Sequence, residues 1–196
     1  MRPKLDQQNV AAPESRPLED SISDGLAAWM AELPGVDARI ETARQRTVGF
    51  ARLLERSLAA IATDHGLTLG DWEALSALQR SGPPYESSPK QLSKALGVTA
   101  GTMSARLERL TRAGLIRPGS AGADGRSRPV RLTGRGQQRW RAATAQRTAI
   151  EQRLFEQTLS GGDLDKLNHL LAKLLLRYEQ TYGPPPAHGV LRADER

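Results

Sequence analysis

Residues Ser88–Arg135 read SPKQLSKALGVTAGTMSARLERLTRAGLIRPGSAGADGRSRPVRLTGR, and this stretch decides the fold. Ser88 has the hydroxyl of a helix N-cap and Pro89 the fixed φ suited to a first helical position, while Gly97 stops the helix. Thr99 caps a second helix, AGTMSARLERLTRA, in which Met103, Leu107 and Leu110 recur at steps of four and three and so share a face. Gly114 ends it. Two short helices joined by about three residues predict a helix-turn-helix, whose second member can lie in a DNA major groove. The following LIRPGSAGADGRSRPVRLT has two β-prone runs around a Gly-rich turn, a hairpin tipped with arginine.

Charge concentrates on the same segment. The chain carries 28 Lys plus Arg against 22 Asp plus Glu, a formal +6. Between Val98 and Arg135 lie Arg106, Arg109, Arg112, Arg117, Arg126, Arg128, Arg131 and Arg135, opposed only by Glu108 and Asp124. The whole excess therefore sits on one groove-sized element and the rest of the chain is neutral. A solvated charged face mixes both signs, so the one-signed patch points to nucleic acid.

For base reading the exposed start of the second helix offers Thr102, Ser104 and Ala105, with Gly101 allowing close approach. Arg109 and Arg112 suit phosphates or partners within the protein. Arg126 at the hairpin tip suits a narrow minor groove, with Arg128 beside it.

LTLGDWEALSALQ, SPKQLSKALGVTAGTMSARLERLTRAGLIR and DGRSRPVRLTGRG together resemble the winged helix-turn-helix of the MarR family of bacterial transcription regulators. The resemblance runs from about Gly66 to Gly136, and flanking helical patterns extend it to roughly 37–181. Asp124, Arg126, Ser127, Leu132 and Thr133 fit the family's wing motif, whereas Gly125 replaces its first arginine. Pro129 removes a ladder donor, which predicts an edge or bulged strand there. The fold implied is mainly α with a small β-wing, a winged helix-turn-helix with interlocking N- and C-terminal dimerisation helices.

Outward from that lobe, residues 1–20 are polar and Pro-punctuated and read as a disordered tail. A first helix is expected over 21–33, ended by Pro34-Gly35, and a long one from an Asp37 cap to His65. Residues 21–65 thus form an extra helix and a dimerisation helix. In the lobe, 66–136, Thr68 and Asp71 start a third helix that runs to about Arg80, and SGPPYES is a loop. Residues 137–182 hold the C-terminal helices, one capped by Thr133 and reaching about Leu159, the other running from about Asp163 to Tyr182. Residues 183–196 form a flexible tail.

Leu164, Leu167, Leu171, Leu174 and Tyr178 step by three and four along the last helix, and Ile150, Leu154 and Phe155 lie on the one before. That period fits either intramolecular core or a dimer seam. The family resemblance implies the dimer, with paired recognition helices reading a palindromic double-stranded DNA operator.

The extra first helix with its tryptophan, followed by a GDWE-containing helix, resembles the urate-responsive branch of that family. The resemblance implies a ligand site at Trp29, Glu73 and Arg106. Glu73 stands where the branch carries Asp, and Pro118 where it carries a second Arg. An anionic purine loses one cationic partner here, which argues against urate itself and leaves a related small aromatic or anionic metabolite as the effector class. The alternative is that Trp29 packs the extra helix and Arg106 pairs with a nearby acid.

Other function classes find little support. His65, His169 and His188 show no metal-ligand spacing, and there is no phosphate-binding Gly-rich loop or GxSxG elbow. No metal, cofactor or enzymatic activity is expected. With no cysteine, disulfides and cysteine-based redox sensing are excluded. No stretch reaches the roughly 18 apolar residues of a membrane span or the pattern of a signal peptide, so a cytoplasmic location is expected. A winged-helix scaffold for protein interaction is the rival class, against which the concentrated charge argues.

Overall fold

The structure, a computed structural model, describes residues 19–120 and 128–184. It divides into two compact units, residues 1–54 and 55–196. The boundary falls inside the long helix α2.

The first unit holds α1 (Ser23–Ala31) and the start of α2 (Ala38–Asp64). Asp20 opens α1, its carboxylate accepting the Ile22 and Ser23 backbone N–H groups at 3.0 Å each. The helix is two residues shorter at each end than its sequence pattern predicts; at the C-terminal end Pro34 disfavours a helical residue before it and Gly35 turns the chain at φ +87°. Contacts along its length hold α1 antiparallel to α2: Arg46 bonds Asp20 at 2.8 Å and the Ser23 hydroxyl at 3.3 Å, Ile22 packs over Gly49, and the Trp29 indole N–H donates to Glu41 at 2.9 Å. Asp37 caps α2 as expected, accepting the Arg39 N–H at 2.8 Å.

In the second unit, α3 (Leu69–Arg80), α4 (Pro89–Leu96) and α5 (Ala100–Arg112) pack around Leu75, Leu78, Leu92, Met103 and Leu110, all fully buried. Each such side chain contributes roughly 1.5–3 kcal/mol by leaving water. The caps match the sequence: Thr68 with Asp71 and Ser88 with Gln91 form capping boxes, and Thr99 accepts the Thr102 N–H. Gly97 ends α4 in the left-handed region.

Strands β1 (Glu86–Ser87), β2 (Ile116–Pro118) and β3 (Val130–Leu132) form an antiparallel sheet of order β1-β3-β2. Two expectations are corrected here. The segment 81–87, read as a loop, contains β1, whose two residues pair with partners about 45 positions later, beyond the reach of any local pattern. Pro129 does not mark an edge strand, because β3 is central and begins after it; Pro129 instead accepts the Gly119 N–H at 2.7 Å.

Helices α6 (Gly134–Thr158) and α7 (Gly161–Tyr182) complete the unit. At Gly136 any Cβ would overlap the Leu115 carbonyl oxygen, so only glycine lets α6 start against the end of the α5–β2 turn. The Trp72 indole N–H donates to Thr144 and that of Trp140 to Ser76, at 3.2 and 2.7 Å, while the Arg147 guanidinium lies 5.2 Å from the Trp72 ring centre. These bonds fasten α6 to α3. Helix α7 begins two residues before its expected start, since Ser160 in the SGGD breaker is itself a cap that accepts the Asp163 N–H.

Candidate nucleic-acid interface

The inner face of α5 is anchored by Met103, Leu107 and Leu110, which leaves Gly101, Thr102, Ser104 and Ala105 exposed. The arrangement is that of a recognition helix whose core side is fixed and whose opposite side is free. No atom comes within 4 Å of a Cβ built on Gly101, so its surface is open to a close partner. The Thr102 and Ser104 hydroxyls have local bonds, to the Thr99 hydroxyl and the Ala100 carbonyl at 2.9 Å each. Each hydroxyl has further lone pairs to offer a base edge or phosphate.

The two arginines at the end of α5 differ. Arg112 pairs with Glu108 at 2.8 Å, both side chains 73% exposed, an ion pair weak enough to exchange for a phosphate. Arg109 is engaged within the protein: its Nε and Nη2 donate to the Asp71 carboxylate at 2.7–3.1 Å. Asp71 is also tied to Thr68 at the start of α3. Burial pushes the Asp71 carboxyl up, but the Arg109 and Thr68 bonds outweigh it and hold the group below its ordinary range. Of the two roles the sequence leaves open for Arg109, the geometry supplies the intraprotein one, which sets the attitude of α5 against α3. Asp71 was visible in the sequence as a capping residue; its second role, 38 residues from its partner, carried no local signal.

Arg128 is exposed at the entrance to β3. Arg126, with Gly125 and Ser127, lies outside the described residues. Arg131 is bound to Glu86 at 2.9 Å, another acid that sequence reasoning missed.

The residues expected to bind an effector lie in both units. In the N-terminal unit Trp29 is 47% exposed, and its donor is satisfied by Glu41. The Arg44 guanidinium, the Gln45 amide and the Trp29 indole together draw the Glu41 carboxyl down to about 2. In the C-terminal unit Arg106 donates to Glu73 at 3.1 Å and to the Gly70 carbonyl at 3.5 Å. Both partners of that pair are less than a fifth exposed.

Along α7, Leu164 and Leu167 are half-buried, whereas Leu171, Leu174 and Tyr178 are 43–62% exposed. The apolar surface is wider than the expected seam, extending to Leu170, Leu175, Leu176 and Tyr182, with Leu154 exposed on α6. Among the described residues no cluster of His, Cys, Asp and Glu could hold a metal ion, and no helix is long and apolar enough to cross a membrane.

Comparison with known proteins agrees with this geometry. Residues 65–127 match a family described as the MarR family. The HTH-type transcriptional regulator PecS of Dickeya dadantii (strain 3937) is 30% identical over 115 residues, covering 59% of this chain and 69% of that protein. Two solved structures share the fold. Sco3205, a MarR family transcriptional regulator from Streptomyces coelicolor solved in complex with DNA, has a TM-score of 0.62 at 18% identity over 78% of this chain and 94% of its own. A mutant MarR from E. coli complexed with operator DNA has a TM-score of 0.55 at 22% identity, over 67% of this chain and 92% of its own. A recognition helix anchored on its inner face, a three-stranded wing and these likenesses have one reading: the chain belongs to the MarR family of DNA-binding transcriptional regulators.

Proposed function

We propose that this protein is a cytoplasmic, homodimeric repressor that occupies a palindromic promoter operator and releases it on binding a small aromatic or anionic metabolite. The observation that carries the DNA-reading part is the exposed row Gly101, Thr102, Ser104 and Ala105 on a helix whose opposite face is buried. Arg112, Arg128 and Arg126 supply the surrounding positive charge, and Arg109 contributes by holding the helix. That related structures are described as complexes with DNA supports the same reading.

Dimerisation is supported by the exposed apolar stripe of α7, which water would otherwise wet at a cost growing with its area. A two-fold dimer presents two recognition helices and so requires a two-fold operator. Repression follows if the site overlaps the polymerase's. An effector relieves it only through unequal affinity for DNA-competent and DNA-incompetent dimers.

A second reading, an operator binder without a small-molecule effector, is favoured by one observation. Trp29 and Arg106 already have internal partners, Glu41 and Glu73. An anion at Arg106 would have to open the Arg106–Glu73 pair.

Duplexes selected by the protein from a random pool, then tested by mobility shift, decide DNA reading: a palindromic consensus is expected, and no enrichment refutes it. Arg126→Ala should weaken binding to that duplex by about 1–3 kcal/mol at matched salt with the dimer intact. Titration of the complex with aromatic carboxylates and oxidised purines tests the effector. Release by one of them, lost in Trp29→Phe while DNA binding persists, supports the first reading, and no release by any supports the second.

A further inference from the structure

Glu86 is the one acid of the three-stranded sheet, in an element whose other charges are arginines. Three residues lie in register across the strands: Glu86 of β1 opposite Arg131 of β3, and Arg131 opposite Arg117 of β2. Two arginines directly opposite repel. Glu86 offsets this by accepting from Arg131 Nε at 2.9 Å, and the same oxygen, Oε2, accepts the Ser120 backbone N–H at 3.2 Å. Arg131 Nη2 closes the triangle by donating to the Ser120 hydroxyl at 3.1 Å. The side chain of Glu86 is only 17% exposed, so water competes weakly for these bonds.

The backbone is shaped to admit the carboxylate. A Cβ on Gly119 would come within 2.7 Å of Glu86 Oε2 and 3.2 Å of the Pro129 carbonyl oxygen. The Gly119 N–H donates to that carbonyl at 2.7 Å, a bond between the end of β2 and the start of β3.

We infer that Glu86 is a positioning residue for DNA binding: it ties β3 to the chain leaving β2 and so fixes the direction in which the wing meets the groove. Arg131 is thereby a structural cation and not a phosphate contact, while Arg117, exposed on the edge strand, stays free for DNA. The inference rests on the wing contacting DNA, and its sign is opposite to simple electrostatics. Removing an acid from a basic surface should tighten DNA binding; loosening the wing should weaken it.

The test uses the full-length protein and the duplex selected by the parent from a random pool. Glu86→Ala should weaken binding about fivefold or more, the size of a misplaced groove contact. Gly119→Ala leaves every charge in place but expels the carboxylate, and should do the same. Glu86→Ala and Arg131→Ala combined should lose no more than either alone, because both remove one clamp.

Hydrogen exchange on the free protein supplies a readout independent of DNA. The backbone amides of Arg117, Gly119, Ser120 and residues 130–132 should exchange faster in Glu86→Ala and Gly119→Ala, with α3 and α5 as protected as in the parent. Tighter binding by Glu86→Ala, additive losses in the double variant, or unchanged exchange in the sheet would each overturn the inference. If the parent selects no duplex, the DNA-binding reading fails by itself, and the exchange result alone decides whether the clamp exists. Should Glu86→Ala not fold, Gly119→Ala carries both measurements.

Discussion

Arg109→Ala separates a protein-binding arginine from a DNA-binding one. Three bonds of 2.7–3.1 Å join Arg109 to Asp71, whose side chain is 5% exposed while that of Arg109 is 45% exposed. Truncation leaves the Asp71 carboxylate with Thr68 as its charge-stabilising partner, through the backbone N–H at 3.0 Å and the side chain. Breaking a fully buried pair from one side costs about 3–5 kcal/mol; water reaching the vacated site reduces this, so about 2 kcal/mol is expected here. For a domain of this size that corresponds to a fall in Tm of about 4–8 °C.

The loss should depend on pH with a defined sign. In the parent the Asp71 carboxyl titrates below its ordinary range, so its stabilisation is complete above that range and disappears as pH falls through the lowered value. Without Arg109 the carboxyl titrates higher, so the gap between variant and parent should narrow as pH falls below about 5. Calorimetry at pH 7 and pH 4 measures both. Replacing Asp71 and Arg109 together should cost less than twice the single loss, since no charge is left buried alone. An Arg109→Ala protein that melts with the parent yet binds DNA with a salt slope smaller by about one phosphate would refute the reasoning and restore Arg109 to the DNA.

Further tests address the other elements. Leu171→Asp puts a charge into the exposed stripe of α7 without disturbing the monomer core, so sedimentation should show monomers that retain helical circular dichroism; an intact dimer would move the interface elsewhere. Gly136→Ala forces α6 off the Leu115 carbonyl and should destabilise the protein by about 1–3 kcal/mol in urea, while Gly161→Ala, with nothing within 4 Å, should stay within about 0.5 kcal/mol of the parent. The Glu41 carboxyl, held at about 2, should keep the Trp29 indole N–H resonance unchanged as pH falls past 4.5, then shift it with a midpoint near 2; a midpoint near 4.5 would show that the Trp29, Arg44 and Gln45 bonds do not form in solution.

What the sequence by itself determined is local. Ser88, Thr99, Thr68 and Thr133 each cap the helix their position announces, because a cap is a bond between residues two or three apart and needs nothing else from the chain. The buried face of α5 followed equally from its period, and the net charge of residues 98–135 followed from composition. Tertiary structure decided what lies between segments. It converted a Pro-rich loop into the edge strand β1, since two residues can pair only when a partner strand is brought to them. It also divided a uniform run of arginines into different roles: Arg109 held by Asp71, Arg131 by Glu86, Arg106 by Glu73, and Arg112 on an exchangeable surface pair. A charge's function depends on which opposite charge lies within about 3 Å and how much water reaches it, and a sequence fixes neither until distant residues are packed together.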